Sequence, residues 1–135
     1  VSEVLTADTS LIIAAVSSWH PRHDDARGVA RRITHLPDHC LIEAYSVLTR
    51  LPAPHRLSPA VAGAAVAALP VELVGLPLPA RVSLVKRLSD AGVRGGAVYD
   101  GLVAETARHH GLTLVTLDVR ARSTYEAIGA DWRAL

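Results

Sequence analysis

The chain is 135 residues long, half of them hydrophobic, with a formal net charge of +1. That size suits one domain with its own core, and the apolar content excludes a disordered chain. The lone cysteine, Cys40, excludes a disulfide framework and a thiolate metal cage, and the near-neutral charge and lack of Phe give no bulk sign of a nucleic-acid or base-stacking surface.

In chain order, Glu3 to Ala7 reads as a short buried strand ending at Asp8, and Thr9 or Ser10 can cap a helix through Val16. Pro21 suits a first helical position ahead of Asp24, Asp25 and an amphipathic run to Ile33. Asp38-His39-Cys40-Leu41 reads as a second strand, and Ile42 to Leu51 as a helix. Ser58-Pro59 opens a helix to Leu69, Val71 to Val74 is a strand, and Pro79 to Ala91 is a helix ended by Gly92. Val98 to His110 is a helix ended by Gly111, and Leu112 to Thr116 is the clearest strand. Asp118 caps or precedes a last helix to Ile128, and Asp131-Trp132 adds an edge strand. Strands alternating with helices predict one α/β domain over residues 1–135, with a parallel sheet and a site at the carboxyl ends of its strands.

No signal peptide is expected, since Ser2-Glu3 opens the chain without a basic segment. Ala60 to Ala80 is broken by Pro70, Glu72, Pro77 and Pro79, short of the roughly 20 apolar residues a bilayer span needs. The expectation is a soluble protein of the reducing cytoplasm. Lys86 is the sole lysine, so positive charge is nearly all arginine, a planar partner for phosphate; a G+C-rich coding sequence explains the same bias.

Four acids carry the chemical argument. Asp8 and Asp118 each follow an apolar strand, which puts both at one edge of a parallel sheet, although either alone can simply cap a helix. Glu43 and Asp100 are lone carboxylates near the starts of apolar helices; each needs a partner or a proton if buried. Gathered together, four such groups repel unless a hard cation joins them. A bound divalent cation activates water and neutralises charge on a phosphoryl group. His20, His23, His109 and His110 show no metal-binding spacing and read as solvated or capping. Trp19 reads as core or interface.

Thr6-Ala7-Asp8-Thr9-Ser10, Leu41-Ile42-Glu43-Ala44-Tyr45, Val98-Tyr99-Asp100-Gly101-Leu102 and Leu114-Val115-Thr116-Leu117-Asp118 resemble, in order, the acidic motifs of PIN domains, closest to the VapC toxins. The segments from His20 to Ala26 and from Thr124 to Gly129 are similar to the connecting segments of that family. The resemblance implies a three-layer, Rossmann-like PIN fold, with a central parallel sheet of about five strands flanked by helices. It implies an endoribonuclease dependent on Mg²⁺ or Mn²⁺, cutting tRNA or rRNA to leave a 5′-phosphate, and inhibited by a VapB-type antitoxin. A homodimer, and a heterotetramer or larger assembly with the antitoxin, are implied with it.

By position, Asp8, Glu43, Asp100 and Asp118 would be catalytic, with Asp8, Asp100 and Asp118 on the metal. Thr9, Ser10 and Thr116 would support them through their hydroxyls. Arg22, Arg50, Arg94, Arg120 and Arg122 can line an RNA groove or simply keep the surface soluble. The apolar helices near Leu11 to Val16 and Ala60 to Leu69 can offer a groove to a partner segment, or belong to the core. Gly101 stands where alanine is the more usual helix residue, at a helical cost of about 1 kcal/mol. Asp8→Asn is expected to abolish cleavage and leave the fold intact. Two other readings compete: a non-catalytic PIN-like binding module, and a phosphoryl-transfer or receiver-type domain. The receiver reading is disfavoured because Lys86 falls in mid-helix and no second acid stands beside Asp8.

Overall fold

Leu5–Ala7 (β1) is buried on both faces, the environment of a central parallel strand. In this computed structural model, which describes residues 3–135, β1 pairs in parallel with Thr113–Thr116 (β4), and β4 with the edge strand Trp132–Ala134 (β5). His35–Pro37 (β2) pairs in parallel with Glu72–Val74 (β3). The two ladders meet where β2 lies beside β1, with Thr6 Oγ1 donating to His35 O at 2.8 Å. Among the described residues, five strands in these two parallel ladders, with helices packed about them, form the PIN-like α/β arrangement the sequence leads one to expect. Val1 and Ser2, where a leader-free start was read, lie outside the described residues.

The helices are Thr9–Val16 (α1), His23–Ala30 (α2), Asp38–Arg50 (α3), Pro59–Ala67 (α4), Leu78–Asp90 (α5), Ala97–His109 (α6) and Arg122–Ile128 (α7). No helix among the described residues is long and apolar enough to cross a membrane. Ser58 caps α4 ahead of its proline, as expected. Gly129, at φ 86°, closes α7 in the left-handed conformation that glycine adopts without a Cβ penalty.

The second strand is displaced from its expected place. Asp38 to Leu41 opens α3, and the strand is the three residues before it. Cys40, Ala44 and Leu48 are the buried positions of α3, a four-residue spacing that pulls Cys40 into the helix, while Asp38 gains from the N-terminal dipole. Helix α2 starts at His23, beyond Pro21, and ends at Ala30, short of Ile33. Gly101 also has a packing reason: a Cβ there would lie 2.5 Å from Leu88 Cδ2, so the glycine lets α5 approach α6.

Candidate active site

Asp8 ends β1 and is itself the N-cap of α1, in extended conformation, accepting from Leu11 N at 3.2 Å. Thr9 and Ser10, the expected caps, lie inside the helix. Ser10 Oγ donates to the same oxygen, Asp8 Oδ1, at 2.5 Å. The other oxygen, Oδ2, accepts from Thr116 Oγ1 at the end of β4 and from Tyr125 OH on α7, the latter at 2.7 Å. Four donors therefore fill the lone-pair sites of a carboxylate that is almost fully buried. Burial pushes the Asp8 carboxyl up, and the Ser10, Thr116, Tyr125 and Leu11 hydrogen bonds pull it back. The same surroundings, burial first and then the Asp8 charge, raise the Tyr125 phenol far above its ordinary range.

The two hydroxyls also fix the turn after β4. Ser10 Oγ accepts from Leu117 N and Thr116 Oγ1 accepts from Asp118 N, each at 2.9 Å. Asp118 in turn accepts from Arg120 N at 2.9 Å, so it precedes α7 and does not cap it. Thr9 is buried, but its hydroxyl meets none of the acids and has no partner among the described residues.

Glu43, Asp100 and Asp118 line one pocket of about 420 Å³, together with Thr9, Ser10, Ile13, His20, Val47 and Arg50. They converge because α3 leaves the carboxyl end of β2, α6 runs down to enter β4, and Asp118 follows β4. Asp8 is buried and does not line this pocket, but Ser10, which bonds it, does. The Asp100 carboxyl is raised to about 6, by burial first and then by the charges of Asp118, Glu43 and Asp8. Among the described residues no lysine or arginine forms an ion pair with any of these acids.

Three neighbours of the acids escape a reading of the sequence. His39 Nε2 lies 3.3 Å from Glu43 Oε2, one helical turn away, a spacing that could have flagged it. Its ring stacks on Tyr99, centroids 5.3 Å apart and planes 2° apart. Tyr125 reaches Asp8 across 117 positions of sequence, which no local pattern announces.

The arginines divide. Arg50 lines the acidic pocket and donates to Ser46 Oγ, and Arg120 flanks Asp118. Arg22 is engaged by Asp25 and by Leu135 O, and Arg122 lies over the Trp132 ring. Arg94 lines a separate groove with Ser123, Thr124 and Ala127. Among the histidines, His23 and His110 bond backbone carbonyls of Ala14 and Gly75, while His20 accepts from Arg22 N and borders the acidic pocket. Trp19 stacks on His55 away from the acids.

The donor set suits a hard divalent cation: carboxylates and hydroxyls, with the only thiol, Cys40, fully buried and pushed up by that burial. The carboxylates share a pocket without forming a closed cage, since among the described residues no three His, Cys, Asp or Glu side chains are close enough to hold one ion directly. Mg²⁺ is ordinarily held through one or two carboxylates and keeps several waters. The excess negative charge that raises Asp100 is what such an ion would offset, so the residues fit it.

The PIN-domain family model matches residues 6–127. The chain is 39% identical over 129 residues to Ribonuclease VapC40 of Mycobacterium tuberculosis, covering 95% of this chain and 96% of that protein. It is 42% identical over 130 residues to Ribonuclease VapC27 of the same species, covering 93% and 92%. The fold is similar to that of VapBC2 from Rickettsia felis, solved bound to a DNA fragment from their promoter, with a TM-score of 0.67, 14% identity and 98% of each chain covered.

Proposed function

The chain belongs to the PIN-domain family, among its VapC-type members, and on that premise we propose that it is a metal-dependent endoribonuclease, the toxin of a toxin–antitoxin pair. The observation that carries this reading is the pocket where Glu43, Asp100 and Asp118 come together with no lysine or arginine ion-paired to them among the described residues and only His39 beside Glu43. Such a pocket favours a divalent cation, and through it an anionic substrate.

Asp100 and Asp118 would hold Mg²⁺ or Mn²⁺, and the buried Asp8, its oxygens already met by four donors, would add its negative charge to theirs. When bound, the ion acidifies a coordinated water and neutralises charge on the phosphoryl oxygens. Ser10 and Thr116 fix the Asp8 carboxylate and the backbone of the turn that carries Asp118. Glu43 Oε1, the oxygen His39 leaves free, takes the proton of the attacking water. Water oxygen bonds to phosphorus, the bond to the 3′ oxygen breaks, that oxygen takes a proton from solvent water, and the products carry a 5′-phosphate and a 3′-hydroxyl. Arg50 and Arg120 receive flanking phosphates, on a tRNA or rRNA substrate. The kinship with VapC proteins and the fold shared with VapBC2 support a VapB-type antitoxin as partner; the toxin's own assembly would be a homodimer.

The test is cleavage of a pool of tRNA and rRNA by purified protein freed of any partner, with Mg²⁺, Mn²⁺ or EDTA. Discrete cuts that EDTA abolishes, and that Asp8→Asn reduces about a hundredfold or more, are the expected result. The amide NH₂ must face two of the four donors that now meet the carboxylate, so this variant costs about 1 to 3 kcal/mol and is assayed well below its own melting temperature. That amends the expectation of an untouched fold. Wild-type protein that neither cuts RNA nor binds Mg²⁺ or Mn²⁺ by calorimetry would overturn the reading.

A further inference from the structure

Tyr99 precedes Asp100 in the first turn of α6, and its ring is 54% exposed. The imidazole of His39 lies nearly parallel to that ring and offset from it, with centroids 5.3 Å apart, and His39 is held by Glu43 Oε2. The stack therefore abuts an acid that lines the catalytic pocket, next in sequence to another. His39 also borders a second pocket of about 380 Å³, lined among others by Asp38 and Arg81.

We propose that Tyr99, backed by His39, is a nucleobase-stacking subsite for the RNA strand whose phosphate enters the acidic pocket. The inference rests on the ribonuclease reading and specifies how that site grips its substrate. Every base offers a flat π face, and a Tyr ring already stacked on a second planar ring is held rigid to receive one. Purines, with the larger face, bind more tightly here than pyrimidines. The scarcity of aromatic residues argues against a long stacking platform, but one base beside the scissile phosphate needs only one well-placed ring.

Binding of a fluorescein-labelled single-stranded oligoribonucleotide of mixed sequence is followed by anisotropy in Mg²⁺, with Asp118→Asn in every protein so that the strand stays whole. Tyr99→Ala weakens binding about tenfold or more, Tyr99→Phe keeps it, and melting temperatures stay together because the ring is exposed. An abasic nucleotide walked along the strand weakens binding to the Tyr99 protein at one position, and has no such effect on Tyr99→Ala. Equal binding by Tyr99→Ala and its parent overturns the stacking subsite and leaves the ribonuclease reading standing. If the wild-type protein neither binds nor cuts RNA, the ribonuclease reading fails and the subsite with it.

Discussion

Asp100 and Glu105 share helix α6 and meet opposite electrostatic surroundings. Glu105 is almost fully buried, yet it is flanked by Arg108, with Nε at 2.9 Å, and by Arg87 from α5. Arg87 also donates to Ile128 O, so this one acid ties α5, α6 and the end of α7 together. Asp100 is less buried but has Asp118, Glu43 and Asp8 as its charged neighbours, with only His39 opposing them. Burial alone therefore does not distinguish a functional acid from a structural one. Charged company does: Glu105 is given arginines that offset its charge, whereas Asp100 is given other carboxylates that add to it.

Neutralising each acid in turn probes that contrast most directly. In catalysis the gap is widest: Asp100→Asn lowers RNA cleavage about a hundredfold or more, whereas Glu105→Gln leaves the rate of the folded protein within about twofold. Equal losses in the two variants would erase the distinction. In stability the order reverses. Glu105→Gln lowers the unfolding free energy by about 2 kcal/mol, below the range for a fully buried pair because both arginines reach solvent; urea denaturation measures it.

Asp100→Asn, by contrast, stabilises the metal-free protein at neutral pH by about 1 kcal/mol, allowing for solvent screening. The sign follows from linkage. The folded-state carboxyl titrates near 6, above its ordinary value of 3.8, so its favourable term is complete below pH 3.8 and is lost as pH rises through 6. The gain from Asp100→Asn should fade when melts are repeated near pH 4, and a pH-independent gain would remove repulsion as its cause. Similar in size and opposite in sign is Gly101→Ala, where about 1 kcal/mol of helix propensity is outweighed by the Leu88 contact, giving a net loss of about 1 kcal/mol. A melting temperature above wild type would show that Leu88 simply moves aside.

The sequence carries part of this in local pattern and part not at all. Asp8 and Asp118 are legible because apolar strand residues run straight into them, and Glu43 and Asp100 because each stands alone among apolar helical neighbours. The β2 boundary was misplaced since a three-residue strand has no period to read and Pro37 joins it directly to α3. His39, Tyr99 and Tyr125 matter through contacts between separate elements, and the Leu88 contact at Gly101 is likewise invisible before α5 and α6 are docked. The arginines are a mixed case. Composition gave their chemistry, but only packing separates Arg50, at the pocket, from Arg22 and Arg122, which are engaged elsewhere.

The hydrogen bond from Tyr125 to Asp8 has a further consequence, in time rather than in space. The four donors to Asp8 come from α1, from the end of β4 and from α7, so its surroundings close only when the two ends of the chain have met. Contacts so distant in sequence form late, after the loop between them has lost its freedom. During synthesis, a chain that has not yet extended past Tyr125 leaves the Asp8 carboxylate without its full set of donors. On the function proposed above, such a chain would gain its activity only once nearly all of its length has emerged.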